Sequence, residues 1–319
     1  MRISIIIPVH NNERTISKCL DSFLNQEYED LEIICIDDHS VDRGFVFCKE
    51  YEKKYKNVIC KQLGDQYGVS NARNVGLSIA TGDIIGFSDA DDYAESNSLA
   101  KICNDFERND VGVIVYAFNV IRDNNVEKVG YAREQIIYSS ELIDKIFYDS
   151  KIGGYPWNKF FLKRILKKNL FNSELIKAED LNFIAKTLNN NDAFRVLVSG
   201  SYIYNYVQRN DSVSHKKQDQ ADFEYIHSLK DLLMNKNEFS NRVVGIIHYE
   251  LFKQYLDISR TVDLSESEKA IVKNNLKSNF GYYLRFYRLN FGENTMNAVK
   301  HAIGKISPLK KLYRKYRGF

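Results

Sequence analysis

The first 120 residues alternate between apolar runs of strand length and longer stretches with helical spacing. Ile3 to Ile7, Leu31 to Ile36, Val58 to Gln62 and Ile84 to Phe87 are such runs, and Val111 to Val120 is another. A nearly continuous apolar strand is covered on both faces, the situation of a parallel sheet. Between the first two runs, Ile16, Cys19, Leu20, Phe23 and Leu24 share one helical stripe. A stretch of mixed face reaches to about Tyr55. Val69, Ala72, Val75, Gly76, Ile79 and Ala80 repeat the helical spacing before a Thr81-Gly82-Asp83 stop. Parallel strands joined by helices take right-handed crossovers, which leaves few topologies. The expected fold class is α/β: a Rossmann-like, mostly parallel sheet flanked by helices.

The ends of these strands carry the chemistry. The first ends in Pro8-Val9-His10-Asn11-Asn12-Glu13, the second in Asp37-Asp38-His39-Ser40, and the fourth in Asp89, Asp91 and Asp92. Open α/β sheets bind ligands at the carboxyl ends of their strands. On extended backbone Asp89 and Asp91, at i and i+2, face one ligand, and clustered carboxylates suit Mg²⁺ or Mn²⁺. The competing reading is a solvated Asp-rich turn in which Asp92 caps the next helix. Asp38 can accept hydrogen bonds from a base or ribose, or cap the helix after Ser40. Arg73, on a helix packed by small residues, suits a diphosphate or an ion pair with one of the same aspartates. Neither a Gly-x-Gly-x-x-Gly fingerprint nor a Walker lysine loop is present, which argues against an NAD enzyme or a P-loop NTPase.

Composition narrows the rest. At 319 residues and 44% hydrophobic, the chain can bury one large core or two modest ones. With three prolines and sixteen glycines it has no room for long linkers or low-complexity tracts. Cys19, Cys35, Cys48, Cys60 and Cys103 are odd in number and match no metal spacing, so reduced, buried thiols are expected. Met-Arg and a strand-like run make too short a start for a signal peptide, and no apolar run nears the roughly 20 residues of a membrane span. A cytoplasmic protein, at most peripheral to a membrane, is the expectation.

The second half supplies fewer patterns. A helical segment around Ser140 to Tyr148 precedes Gly153-Gly154-Tyr155-Pro156-Trp157-Asn158-Lys159-Phe160, which holds the only tryptophan. Glycines beside an aromatic suggest a loop shaping a sugar site, with core anchoring as the alternative for Trp157. Ala178-Glu179-Asp180 reads as a helix N-terminus, where acids are favoured, and Tyr204 to Ser214 as an edge strand and turn. From Gln218 onward the pattern is helical: Tyr225 to Met234, Val243 to Ile258 and Glu266 to Phe280. Phe280, Tyr283, Tyr287 and Phe291 follow as a packed stripe. Residues 300–319 hold seven Lys/Arg and no acids; without them 38 basic face 42 acidic residues, and a net +3 becomes −4. Pro308 splits this tail into two short amphipathic pieces, suited to an anionic membrane surface rather than to nucleic acid.

Four motifs in order, Ile-Ile-Pro-Val-His-Asn-Asn-Glu (6–13), Ile-Asp-Asp-His-Ser-x-Asp (36–42), Gly-x-Ser-x-Ala-Arg-Asn-x-Gly (68–76) and Ser-Asp-Ala-Asp-Asp (88–92), resemble family 2 glycosyltransferases of the GT-A fold. The resemblance is close over about residues 3–120 and looser over 155–215. It implies that Pro8, His10 and Glu13 line a nucleotide pocket, that Asp38 contacts the base, and that Arg73 lies near the diphosphate. It implies that Asp89 and Asp91 form a DxD motif, with Asp91 the direct ligand of Mn²⁺ or Mg²⁺. Asp180 corresponds to the catalytic base, with Glu179 in an acceptor-side or supporting role; the loop reading adds Trp157 and Lys159 on the acceptor side. His10 stands where a tyrosine is commoner.

The implied activity is an inverting transfer from a nucleotide-sugar donor, UDP in the leading reading, to a glycan acceptor. That acceptor is read as lipid-linked, in cell-surface polysaccharide synthesis. A processive synthase would need a Gln-x-x-Arg-Trp motif and membrane helices, which the sequence lacks. A non-catalytic nucleotide-sugar-binding scaffold is the alternative from another class. The expected organisation is a catalytic domain over 1–215, with a nucleotide-sugar half (1–120) and an acceptor half (121–215). A helical extension (216–299) and the basic tail (300–319) follow it.

Overall fold

Ile3–Val9 forms β1, and its isoleucines bury both faces, as a central strand requires. It pairs in parallel with β2 (Leu31–Asp37) on one side and β4 (Ile84–Phe87) on the other, and β3 (Val58–Gln62) adds to β2. The crossovers are α1 (Ile16–Leu24), α2 (Gly44–Lys54) and α3 (Val69–Ile79). Gly76 lets α3 lie against β1: a Cβ there would meet Ile6 Cγ2 at 2.4 Å. Cys35 of β2 and Cys60 of β3 are register partners under Cys48 of α2, the three Sγ atoms within 4.8 Å of one another. All five cysteines are free and buried.

In this computed structural model the described residues are 1–123, 125–166, 169–189, 193–208, 218–234, 239–261, 265–267 and 269–282. The basic tail, the stripe beyond Tyr282 and the stretch from Arg209 to Ser214 lie outside them. The chain divides into two compact units, Met1–Lys216 and Lys217–Phe319.

The first unit extends the sheet through β5 (Tyr93–Ala94), β6 (Val113–Arg122), β7 (Asn125–Val129), β8 (Gln135–Tyr138), β9 (Lys159–Leu162) and β10 (Arg195–Val207). The strand order is β3-β2-β1-β4-β9-β6-β10-β5, with β7 on β6 and β8 on β10. Beyond β4 the sheet becomes mixed, because β9 runs antiparallel to β4 and to β6, while β6 and β10 are parallel. β10 is therefore interior, not the edge strand its polar C-terminal end suggested. Helices α4 (Ser98–Arg108), α5 (Ser139–Lys145), α6 (Lys163–Leu166) and α7 (Glu179–Leu188) complete the unit. In the second unit α8 (Gln218–Met234) packs on α9 (Asn241–Thr261), and residues 269–282 are helical. No helix among the described residues is long and apolar enough to cross a membrane.

The loop into β9 is built around a buried charge. Lys159 is 0% exposed, and its Nζ donates to the carbonyls of Ile152 (2.7 Å), Gly153 (2.9 Å) and Tyr155 (2.8 Å) and to Asn158 Oδ1 (2.9 Å). Burial opposes the ammonium, and the oxygens offset that cost by replacing its water. Lys159→Met keeps the length of the stem but leaves several buried carbonyls unpaired. Urea denaturation should show a loss of about 3 kcal/mol, whereas a loss below about 1 kcal/mol would mean that the loop tolerates unpaired carbonyls.

Candidate active site

At the carboxyl ends of β1 and β2 two loops are laced together. Asn11 N–H donates to Ser40 Oγ (3.0 Å), Val41 N–H to Asn11 Oδ1 (2.9 Å), Glu13 N–H to Asp42 Oδ2 (2.8 Å) and Arg43 N–H to Glu13 Oε2 (3.2 Å). Glu13 is thus exposed and spends one oxygen on the start of α2. His10 Nδ1 lies 2.6 Å from the carbonyl oxygen of Asp38, and Pro8 is half-buried in β1. Asp38 does not cap α2. Both its oxygens accept the Gly68 N–H at 3.0 Å, an approach that Gly68 makes possible at φ 98°. His10, Asp38 and the start of α3 therefore form one cluster.

The acid cluster after β4 is a turn, closed by Asp92 N–H on the Asp89 carbonyl at 3.2 Å, and not the extended backbone that would align Asp89 with Asp91. Asp92 caps no helix: it is buried, accepting from Tyr204 Oη (2.8 Å) and the Val207 N–H (2.7 Å). Tyr204 Oη also accepts the Asp89 N–H at 3.0 Å, so β10 sets the turn from beneath. The start of α4 is held instead by Gln26 Oε1, which accepts from Leu99 N–H (2.9 Å) and Ser98 Oγ (3.2 Å). Burial pushes the Asp92 carboxyl well above the ordinary range, and the charges of Asp89 and Asp91 add to this.

Arg73 joins the halves. Its guanidinium, 4% exposed, donates through Nη2 to Asp89 Oδ1 (3.2 Å) and through Nη1 to Glu179 Oε1 (3.0 Å) and Asp180 Oδ1 (2.5 Å). Beneath it the Phe171 ring centroid lies 5.2 Å from Cζ, and Phe171 stacks on Phe183 at 3.9 Å. Asn74, a fixed position of the 68–76 motif to which the sequence assigned no role, pins this layer: it donates to the Phe171 carbonyl and accepts the Phe171 N–H, both at 2.9 Å. Ala178 at φ 56° turns the chain into α7 just before Glu179 and Asp180. Burial raises the Asp180 carboxyl well above its ordinary value, Arg73 lowers it, and Glu179 and Asp89 raise it again. The helix N-terminus does not prevail over burial here.

Two residues expected on the acceptor side offer no surface to an acceptor. Lys159 is enclosed by its carbonyls, and Trp157 is 6% exposed, stacked between Tyr155 (4.2 Å) and Tyr204 (4.9 Å) with Phe118 edge-on at 4.7 Å. Trp157 backs Tyr204, and Lys159 holds the loop that carries Trp157. Asp38, Arg73, Asp89, Asp91, Glu179 and Asp180 are partly exposed or hydrogen-bonded to groups that are, except that Arg73 itself is buried.

A model of glycosyl transferase family 2 matches residues 4–170. A poly(ribitol-phosphate) beta-glucosyltransferase of Bacillus spizizenii is 35% identical over 217 residues, 66% of this chain and 33% of its own length. The uncharacterized glycosyltransferase EpsJ of Bacillus subtilis is 27% identical over 63% of this chain and 60% of its own. The chain thus spans about a third and three fifths of these two relatives. Among solved structures, S. aureus TarS 1-349 in complex with UDP-GlcNAc superposes with a TM-score of 0.68 at 21% identity, covering 89% of this chain and 82% of TarS 1-349. That likeness is one of fold.

The Tyr204 hydroxyl offers a direct test of how the acid turn is held. Tyr204→Phe removes one group and leaves both a buried Asp92 oxygen and the Asp89 N–H without it. Thermal or urea unfolding should show a loss of about 2 kcal/mol. An unchanged midpoint would mean that the turn does not depend on β10.

Proposed function

This chain belongs to glycosyl transferase family 2, and we propose that it transfers a sugar from a UDP-sugar, with inversion, to a hydroxyl of a cell-surface glycan or polyol-phosphate polymer. The observation that carries this reading is the convergence on Arg73 of Asp89 from the end of β4 and of Glu179 and Asp180 from α7, at 2.5–3.2 Å. A donor seated along the strand ends has its base at Asp38 and its diphosphate at the Asp89–Asp91 turn. Its anomeric carbon is then within the region that Asp180 faces. The UDP-GlcNAc bound by TarS and the acceptor class in the name of the Bacillus spizizenii relative support the choice of donor and polymer.

In this reading Asp180 accepts the proton of the attacking hydroxyl as the new C1–O bond forms and the bond to the diphosphate breaks on the opposite face. Glu179 and Arg73 hold Asp180 in place, and Asp38 accepts an N–H from the base. The acid turn fits a hard cation: its donors are carboxylate oxygens, and the repulsion that raises Asp92 is of the kind a cation relieves. Asp91, with Asp89, would hold Mn²⁺ or Mg²⁺, which when bound neutralises charge on the departing diphosphate.

Screening UDP-sugars for Mn²⁺-dependent hydrolysis without acceptor tests the assignment. Asp91→Ala should abolish metal-dependent donor binding in a folded protein, and Asp180→Asn should keep donor affinity while transfer falls roughly 10²–10⁴-fold. Full turnover after metal removal, or loss of donor binding in Asp180→Asn, would overturn these roles.

The pH profile gives a second test. Asp180 works only when ionised, and its carboxyl is raised, so activity should fall as pH drops through a limb above the ordinary carboxylate range of about 4. Arg73 is the charge that lowers it. Arg73→Gln should therefore move that limb to higher pH, and a limb that stays in place would place the base elsewhere.

A further inference from the structure

The Asp38 end of the site carries rings that no role has yet absorbed. Tyr67, directly before Gly68, is 67% exposed, a high value for so large an apolar surface. It is not loose: its ring lies 4.2 Å from that of His39, tilted by 31°, and its carbonyl accepts from Asn71 Nδ2 at 2.6 Å. His39 in turn sits in the left-handed region at φ 57°, which non-glycine residues seldom adopt, with Nδ1 3.5 Å from Asp38 Oδ1. His10 is held by the Asp38 carbonyl, and Asp38 itself by the Gly68 N–H. The fixed Asp38 carboxylate, 16% exposed, thus has the His39 ring beside it, with Tyr67 packed on that ring and His10 on the Asp38 carbonyl.

A carboxylate that already accepts one backbone N–H still has lone pairs for another donor in its plane. Flat molecules with a ring N–H and two π-faces fit such a place, and aromatic side chains bind nucleobases by stacking. We propose that Tyr67, backed by His39, is a stacking platform for the base of the nucleotide donor, while Asp38 accepts a ring N–H on the edge of that base. This rests on the placement of the donor's nucleoside at Asp38. It adds a donor-binding residue from the loop after β3, on a position whose neighbour Gly68 fixes the carboxylate. His10 offers a smaller ring than tyrosine, and Tyr67 supplies the larger face.

The preformed Tyr67–His39 pair also bears on specificity. The stacking face accepts any base, whereas the carboxylate edge favours bases that present a ring N–H. Uracil and guanine present one and adenine does not, so discrimination resides in Asp38 and affinity in Tyr67.

Titration calorimetry of the full chain with UDP, and with inorganic pyrophosphate as a probe that lacks a base, tests the proposal. Tyr67→Ala should weaken UDP binding roughly 5- to 150-fold and leave pyrophosphate unchanged, while Tyr67→Phe retains wild-type affinity. With a UDP-sugar the KM should rise and kcat hold. Wild-type UDP affinity in Tyr67→Ala, or an equal loss for pyrophosphate, would overturn the platform. Asp38→Ala separates the two levels. If it weakens UDP and Tyr67→Ala does not, only the platform falls. If neither variant changes UDP binding, the nucleoside lies elsewhere and the platform falls with that placement.

Discussion

The buried guanidinium of Arg73 is the constraint on which the rest of the site depends. An arginine at 4% exposure is costly unless paired, and here three carboxylates pair it. Their dependence on it is mutual. Asp89, Glu179 and Asp180 would repel one another at these separations, and Asp180 is already pushed toward its neutral form by burial. One delocalised cation with several donors in a fixed fork can satisfy all three at once, which a lysine point charge cannot do with the same geometry. The aromatic floor of Phe171, Phe183 and Phe87 fills the space beneath the guanidinium plane. Asn74 fixes Phe171 from the same helix that carries Arg73. Site and core are thus coupled through adjacent residues of α3.

What the sequence made legible follows from which forces are local. The strands β1, β2, β3 and β4 and the helices between them stood out because burial imposes a period on neighbouring residues. The acids at the strand ends stood out because nothing in a core needs them. The antiparallel insertion of β9 between β4 and β6 had no such signal, since partners 44 to 78 residues apart leave no period in the chain. For the same reason β10 read as an edge when three strands pair with it. The backbone of the acid turn was misjudged because Tyr204 and Val207 decide it from more than 110 residues away.

Among site residues the same division holds. Asp38, Arg73, Asp89 and Asp180 could be named because charged residues at strand and helix ends are conspicuous. Lys159 and Trp157 were placed by the look of their loop, Gly153-Gly154-Tyr155, and turned out to build it. A lysine that satisfies four oxygens and a lysine that meets a sugar look alike in one dimension. Tyr67 gave no sign at all, since an isolated exposed aromatic in a short loop has no pattern to belong to.

The position of the site follows from strand order. The crossover from β1 goes to β2, and the one from β3 returns past β1 to β4, so the strand order reverses at β1, the place where open α/β sheets bind ligands at their carboxyl ends. On the β2 side of that place the loops are tied to each other by backbone N–H groups on Asn, Ser, Asp and Glu side chains, and Asp38 is fixed by Gly68. On the β4 side the polarity of the sheet reverses at β9, and interior β10 brings Tyr204 under the acid turn. The Asp38 side is thereby held by hydrogen bonds between residues 29 or 30 apart in sequence. The side of the acid turn is held by contacts spanning a hundred residues, Arg73 to Asp180 and Tyr204 to Asp92. Long-range contacts form only when the whole unit is folded, so Asp89, Glu179 and Asp180 are brought together only in the native state. The unfolded chain carries the same acids apart from one another, and the repulsion that tunes Asp180 is a property of the fold rather than of any segment.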